Sequence, residues 1–273
     1  MYLILAFVML SSAALANAGT IETTSDLSEP FTSSNHSNLL LGHNVTPTSY
    51  TLGKNQLVAG PYYIGYGLTD QLMIATSPWV IAAYNMPMVD LKYGFSPSVI
   101  FEHASAEFMY FKTAEFGLDW YHQESTWLRF TGTNHIGPGY DLHTCLGIQY
   151  FIDAQVPFSL RPPPTNNTPL TISLTQLNEF HLSEHWGTFI EWGVLGVNYP
   201  DRFLHLGASI FYQWKTGYLQ AGASKTFAIG PEYINYGDVY DHMRVNEYGE
   251  RTTSIYYLVD EPIHPEIQLE FLL

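Results

Sequence analysis

Five side chains in the middle of this chain are of the types that acid and base chemistry uses: His143, Glu179, His181, Glu191 and His205. An imidazole beside a carboxylate holds a fixed tautomer, shuttles a proton or activates a hydroxyl nucleophile. The same types ligate divalent metals, and His181 and His185 stand four residues apart, the spacing that sets two imidazoles on one face of a helix. Here the pair straddles a polar turn at residues 183–185, so the two rings point in different directions and ligation is not expected. No G-x-S-x-G nucleophile elbow occurs. The expectation is therefore no catalytic residue, no metal and no cofactor, with the five groups lining a hydrated interior.

What must position them is a run of alternating segments over residues 171–227. In residues 203–214 the even positions are Leu204, Leu206, Ala208, Ile210, Tyr212 and Trp214, and the odd ones include His205, Gly207, Ser209 and Gln213. Residues 217–227 repeat this with Leu219, Ala221, Ala223 and Phe227 against Tyr218, Gln220, Ser224 and Thr226, and residues 188–197 set Ile190, Trp192 and Val194 against Glu191. A period of two means strand. The joins at residues 183–185, 198–202 and 215–216 are short enough to make antiparallel neighbours. The polar face then carries His143, Glu179, His181, Glu191 and His205, joined by Gln268 and Glu270 near the chain end. The apolar face carries Ile190, Trp192, Leu204, Leu206, Ile210, Leu219, Leu269 and Phe271.

Such strands fit a secreted soluble barrel or sandwich that binds a ligand in an apolar interior, or a barrel turned inside out in a membrane. Length favours the second: about ten residues at roughly 3.3 Å each, tilted by about 40°, rise roughly 25 Å, the height of a membrane barrel's apolar band. Aromatic residues make up 15% of the chain and suit both strands and membrane interfaces. No stretch approaches the twenty or so apolar residues of a membrane helix. The net charge of −15, with ten Lys and Arg in 273 residues, excludes a nucleic-acid partner.

Residues 2–10 are an apolar run and Ala16-Asn17-Ala18 is an A-x-A site, the pattern of a signal peptide over residues 1–18 with cleavage after Ala18. Residues 19–49 are read as a flexible lead-in, Ser- and Thr-rich over residues 19–38, to a barrel over residues 50–273. The single Cys145 forms no internal disulfide, and export without disulfides suits a bacterial envelope protein.

Two cassettes share one form, a Leu, a hydroxyl, a carboxylate, any residue and a large apolar residue: Leu68-Thr69-Asp70-Gln71-Leu72 and Leu182-Ser183-Glu184-His185-Trp186. With the Pro-interrupted residues 77–88 and Val89-Asp90-Leu91-Lys92-Tyr93-Gly94-Phe95, the chain resembles bacterial outer-membrane β-barrel proteins of the porin-like, mostly uncharacterised kind, best over residues 51–95 and 171–273. The terminal Glu266-Ile267-Gln268-Leu269-Glu270-Phe271-Leu272-Leu273 resembles the strand signal that such proteins present to the barrel-assembly machinery, with Leu273 where the motif has Phe or Trp. The resemblance implies a transmembrane barrel in the bacterial outer membrane, in contact with its lipid and lipopolysaccharide. It also implies passive transport, with periplasmic placement of both cassettes. Outer-membrane lipid hydrolases, which use Ser and His near the membrane edge, are the enzymatic alternative.

The fold expected is all-β, a closed antiparallel up-and-down barrel of about twelve strands, with ten next, since bacterial single-chain barrels have even counts. That parity sends the long loops at residues 153–170 and 229–263 to one end and Trp186 and Trp214 to the rim of the other. Twelve strands close at a radius of roughly 12 Å. Inward bulk from Phe189, Phe203, Phe211 and Tyr218 leaves little bore, and inward carboxylates with no Lys or Arg at the lumenal positions of the last five strands favour cations. A narrow cation-preferring pore and a plugged structural barrel both remain open.

Overall fold

The computed structural model describes residues 45–95, 100–112, 122–155, 170–198, 202–229 and 263–273. The expected signal peptide, residues 19–44 of the lead-in and most of both long loops lie outside them. The elements are β1 (Leu57–Ala59), β2 (Ile64–Gly67), β3 (Leu72–Thr76), a helix α1 (Pro78–Tyr84), β4 (Met88–Phe95), β5 (His103–Lys112), β6 (His122–Gly137), β7 (Tyr140–Gln155), β8 (Leu170–His181), β9 (Trp186–Leu195), β10 (Arg202–Trp214), β11 (Gly217–Ile229) and β12 (His264–Leu272). All twelve strands are antiparallel to their sequence neighbours, and β1 pairs with β12 to close the barrel.

Parity is kept because the segments either side of Gly60-Pro61 are separate strands, turned back by the Gly60 N–H donating to the Tyr63 carbonyl at 2.8 Å. The first of them, expected from residue 50, begins only at Leu57. Residues 77–88 are not a broken strand. Ser77 caps α1 by accepting from the Val80 N–H at 3.3 Å, Pro78 fills the first turn where no donor is needed, and Asn85 ends it in the left-handed region at φ 49°.

The alternation read from the sequence is the alternation of burial. Along β8, residues 171–179 alternate buried and half-buried without a break. His143, Glu179, Glu191, His205 and Glu270 point inward and are buried, and His181 and Gln268 are half-buried on the same side. Ile190, Leu206, Ile210, Leu219 and Phe271 are exposed on the outer surface, and Trp192, Leu204 and Leu269 are half-exposed there. Both carboxylate cassettes turn at one end of the barrel, where an aromatic arc runs from Trp186 to Tyr212 (4.8 Å between ring centroids), Trp214 (6.1 Å) and Phe271 (6.0 Å).

The lead-in departs from expectation. Residues 46–52, of which 46–49 were expected to be flexible and 50–52 to begin a strand, are buried inside the barrel, with Thr46, Thr48 and Leu52 wholly covered. The chain leaves the interior through a turn at the end that carries the short loops. There the Asn55 N–H donates to the Gly67 carbonyl at 2.8 Å and the Gly67 N–H to the Gln56 carbonyl at 2.9 Å. This close approach needs a glycine, because a Cβ on Gly67 would lie 2.0 Å from the Gly53 carbonyl oxygen. Gly67→Ala is expected to destabilise by about 1–3 kcal/mol, read as a lower denaturant midpoint. Gly137→Ala, where a Cβ meets nothing within 4 Å, is expected to change it by under about 0.5 kcal/mol.

Candidate functional site

Two three-residue relays face the lumen in mirrored order. On β6, β7 and β8, Thr133 Oγ1 lies 2.7 Å from His143 Nδ1, and His143 Nε2 lies 2.9 Å from Glu179 Oε2. On β11, β10 and β9, Thr226 Oγ1 lies 3.1 Å from His205 Nδ1, and His205 Nε2 lies 3.0 Å from Glu191 Oε2. In each, the histidine is directly opposite the threonine across one ladder and diagonal to the glutamate across the other: His143 faces Thr133 and Leu177, and His205 faces Thr226 and Gly193. An ionised carboxylate only accepts, so Nε2 carries the proton in both relays, and Nδ1 of a neutral ring accepts from the threonine hydroxyl.

Both relays grip the chain inside the barrel. Glu191 Oε1 accepts from the Val45 N–H at 3.0 Å and from the Thr46 N–H. Ser49 Oγ lies 2.5 Å from Thr133 Oγ1, which extends the first relay to the buried segment. Two further grips come from elsewhere on the wall: Lys92 Nζ donates to the Thr48 carbonyl at 2.6 Å, and the Tyr50 hydroxyl donates to Asp141 Oδ2 at 3.0 Å. The segment is thus held by β4, β6, β7 and β9 at once.

A third group balances charge. Arg129 on β6 donates twice to Glu107 on β5, at 2.9 Å and 2.7 Å, and Asp90 and Lys92 lie buried on the same face of neighbouring β4. Asp90 Oδ2 accepts from the Tyr63 hydroxyl at 3.1 Å. A bidentate guanidinium and carboxylate is the pairing that best offsets the cost of burying both. The expectation that inward Lys and Arg are missing from the last five strands holds among the described residues; Lys92 and Arg129 lie on the opposite wall.

Of the residues singled out from the sequence, His143, Glu179, Glu191 and His205 come together as two relays, and His181 joins Glu179 at 2.7 Å. Gln268 accepts from the Tyr218 hydroxyl at 2.8 Å, away from them on β12, and Glu270 is buried beside it. His185 is exposed in the turn beside the Tyr212 ring, apart from His181. Thr226 was placed on the polar face but not singled out as a partner, Thr133, Asp141 and His135 were missed, and so were the charges at Asp90, Lys92, Glu107 and Arg129. The alternation of Val89, Leu91 and Tyr93 with Asp90 and Lys92 was the available signal for two of them.

In each relay the carboxylate orients the imidazole and the imidazole the hydroxyl. The hydroxyl beside each imidazole is a secondary alcohol, buried, and in the first relay covered by Ser49. Replacing Glu191 with Leu strands His205 and two backbone N–H groups, an expected cost of about 2–4 kcal/mol, and Glu179→Leu strands His143 similarly. Because both relays hold one segment, the double variant is expected to fall short of the sum by about 0.5 kcal/mol or more in denaturant unfolding, whereas independent sites would add. Comparison of the chain with protein-family models, with curated proteins and with solved structures finds no match.

Proposed function

We propose that this chain is an outer-membrane β-barrel whose bore is closed by its own residues 45–52, a structural barrel at rest that leaves only a narrow, cation-preferring path. The observation that carries the reading is the buried segment: four strands hold it by hydrogen bonds, and it fills the space through which a solute would pass. Membrane residence is supported by inverted packing. Buried polar side chains outnumber buried apolar ones, while Ile74, Leu91, Phe108, Leu128, Phe130, Leu146, Ile190, Ile210 and Leu219 are exposed on the outside. An apolar belt of that extent is tolerated in lipid and not in water. A soluble ligand binder would need the Leu204, Leu206 and Ile210 face inside, and that face is outside.

The wall is not equally high all round. β1, β2 and β3 have three, four and five residues, against sixteen in β6 and β7. At the end of the low side sits α1, with Trp79 and Ile81 exposed and the Trp79 ring 5.5 Å from that of Tyr62. An aromatic and apolar helix surface at that height suits the membrane interface, where it would complete the apolar belt above the short strands.

The residual path runs beside β11 and β12. Both amide atoms of buried Gln220 and Glu270 Oε2 have no protein partner, and buried polar groups of this kind are satisfied by water. Glu266 and Glu270 on the same strand give that hydrated strip its negative sign. No catalytic turnover is proposed, because the hydroxyls of both relays are closed off.

Full-length protein is expected to sediment with outer membranes, to shift in gel mobility on heating and to show little steady conductance in planar bilayers. A variant in which residues 45–52 are replaced by a Gly/Ser segment of equal length is expected to keep the heat shift and to conduct, with a reversal potential that marks cation preference. Recovery in the soluble periplasm, equal conductance of the two proteins or anion preference would each overturn the reading.

A further inference from the structure

At the end of the lumen that carries the short turns, three side chains converge outside both the residual path and the second relay. Asp141 on β7 and Glu179 on β8 are direct cross-strand partners, and His181 lies two residues beyond Glu179 on the same face. Their ligand atoms all lie within 4.8 Å of one another. We propose that Asp141, Glu179 and His181 bind a single divalent transition-metal ion, with zinc the probe that fits one imidazole nitrogen and two carboxylates.

Electrostatics is the first reason. Two carboxylates directly opposite across a ladder repel, and both are nearly fully buried. The lumenal Lys and Arg among the described residues, buried Lys92 and half-buried Arg129, lie with Glu107 and Asp90 on β4–β6, so the groups that face Asp141 and Glu179 are the imidazoles of His135, His143 and His181, which carry charge only when protonated. A cation between Asp141 and Glu179 would relieve the repulsion where they stand.

The hydrogen bonding gives an independent reason. Glu179 Oε2 is engaged by His143 Nε2, but Oε1 is buried and, although 2.7 Å from His181 Nε2, is not in hydrogen-bonding geometry with it. An ion shared between Oε1 and Nε2 would use both lone pairs. The supporting contacts are those that metal ligands commonly have: His143 fixes Glu179, and His135 Nδ1 (2.7 Å) and the Tyr50 hydroxyl (3.0 Å) fix Asp141.

Geometry and access also agree. A strand pair that offers residues i and i+2 with the directly opposed residue supplies three ligands to one side of an ion and leaves the other side for water. Bonds of about 2.0–2.2 Å require the most distant pair of ligand atoms to close by roughly 1 Å. His181 can supply that movement, because its side chain is 11% exposed at the barrel mouth, where Glu179 is fully buried. Calcium and magnesium want six or more oxygens and make poor use of an imidazole. The site is built from the barrel's own strands, so it stands or falls independently of what surrounds the barrel.

The test is a calorimetric titration of refolded, chelator-treated full-length protein with zinc chloride. One ion per chain is expected; His181→Gln and Asp141→Asn each weaken binding at least tenfold, and His185→Gln, on the exposed turn four residues away, leaves it unchanged. Calcium at the same concentration gives no heat. No binding to the native chain, binding unaffected by His181→Gln, or loss of binding with His185→Gln would overturn the proposal. Each variant is first checked for the heat-dependent mobility shift of the folded barrel. The native chain is read separately with cobalt, whose visible absorption should appear at one equivalent and be displaced by zinc; its absence would overturn the proposal without recourse to any variant.

Discussion

A lumen lined with carboxylates can close only if each one finds a proton donor or a cation, and much of this structure follows from that requirement. Glu179 and Glu191 are buried on adjacent strands, in a registration that makes Leu177 the direct partner of Glu191 and Phe189 that of Glu179. The two charges are thus staggered, not opposed. Each then turns away from the other to a histidine on its far side, and each histidine to a threonine one strand further. The outcome is one band of hydrogen-bonded polar groups across six consecutive strands, β6 to β11. The mirrored order follows from two like charges sitting back to back, since each takes its histidine partner from the strand on its far side. Loss of a carboxylate from such a band costs more than the bond it makes, because its partners stay buried.

The buried segment is held by that same band, which places its burial downstream of the charge pattern. Backbone N–H groups at residues 45 and 46 reach a carboxylate oxygen at the middle of the band that the histidine leaves over, and Ser49 reaches the hydroxyl at one of its ends. A segment rich in Thr and Ser suits this role, because it offers donors at short reach and carries no charge that would have to be neutralised in turn. The opposite wall has a different solution. Arg129 pairs with Glu107, Asp90 and Lys92 lie beside them on β4 so that two acids and two bases share that wall, and Lys92 donates to the Thr48 carbonyl. The interior therefore has two halves, one short of positive charge and one balanced.

The barrel itself was legible because period two is set by backbone geometry and survives any choice of surroundings. The even and odd positions of residues 203–214 gave the two faces of β10, and the proline at residue 61 gave the strand break that makes the count twelve. The membership of the polar face was equally plain, as His143, Glu179, Glu191 and His205 show. Their partnering was not, because it depends on register between strands: a slip of two residues leaves every side chain on its own face but pairs His205 with a different neighbour. The segment at residues 45–52 was illegible for a related reason. A stretch with no periodicity reads as solvated, yet inside a polar lumen the burial of such a stretch is stabilised by scattered side-chain grips that leave no repeat in the sequence. The helix at residues 78–84 was hidden by its own proline, which breaks a strand and starts a helix with equal ease.

The uneven height of the wall bears on how the barrel holds its shape. β1 contributes two residue pairs to its ladder with β12, Val58 with Leu272 and Ala59 with Phe271, supplemented by backbone bonds between Leu57 and Leu273. A seam this short is the weakest ladder in the ring, and it lies next to the point where the buried segment turns into β1. Gly67, Gly53 and Asn55 tie that turn to β2, so the segment that occupies the bore is also tethered to the strand beside the seam. Contacts made inside the lumen by residues 45–52 therefore act on the closing strand through only a few residues of chain, and a lumen emptied of its segment would leave the seam held by its two pairs and the backbone bonds at the chain end.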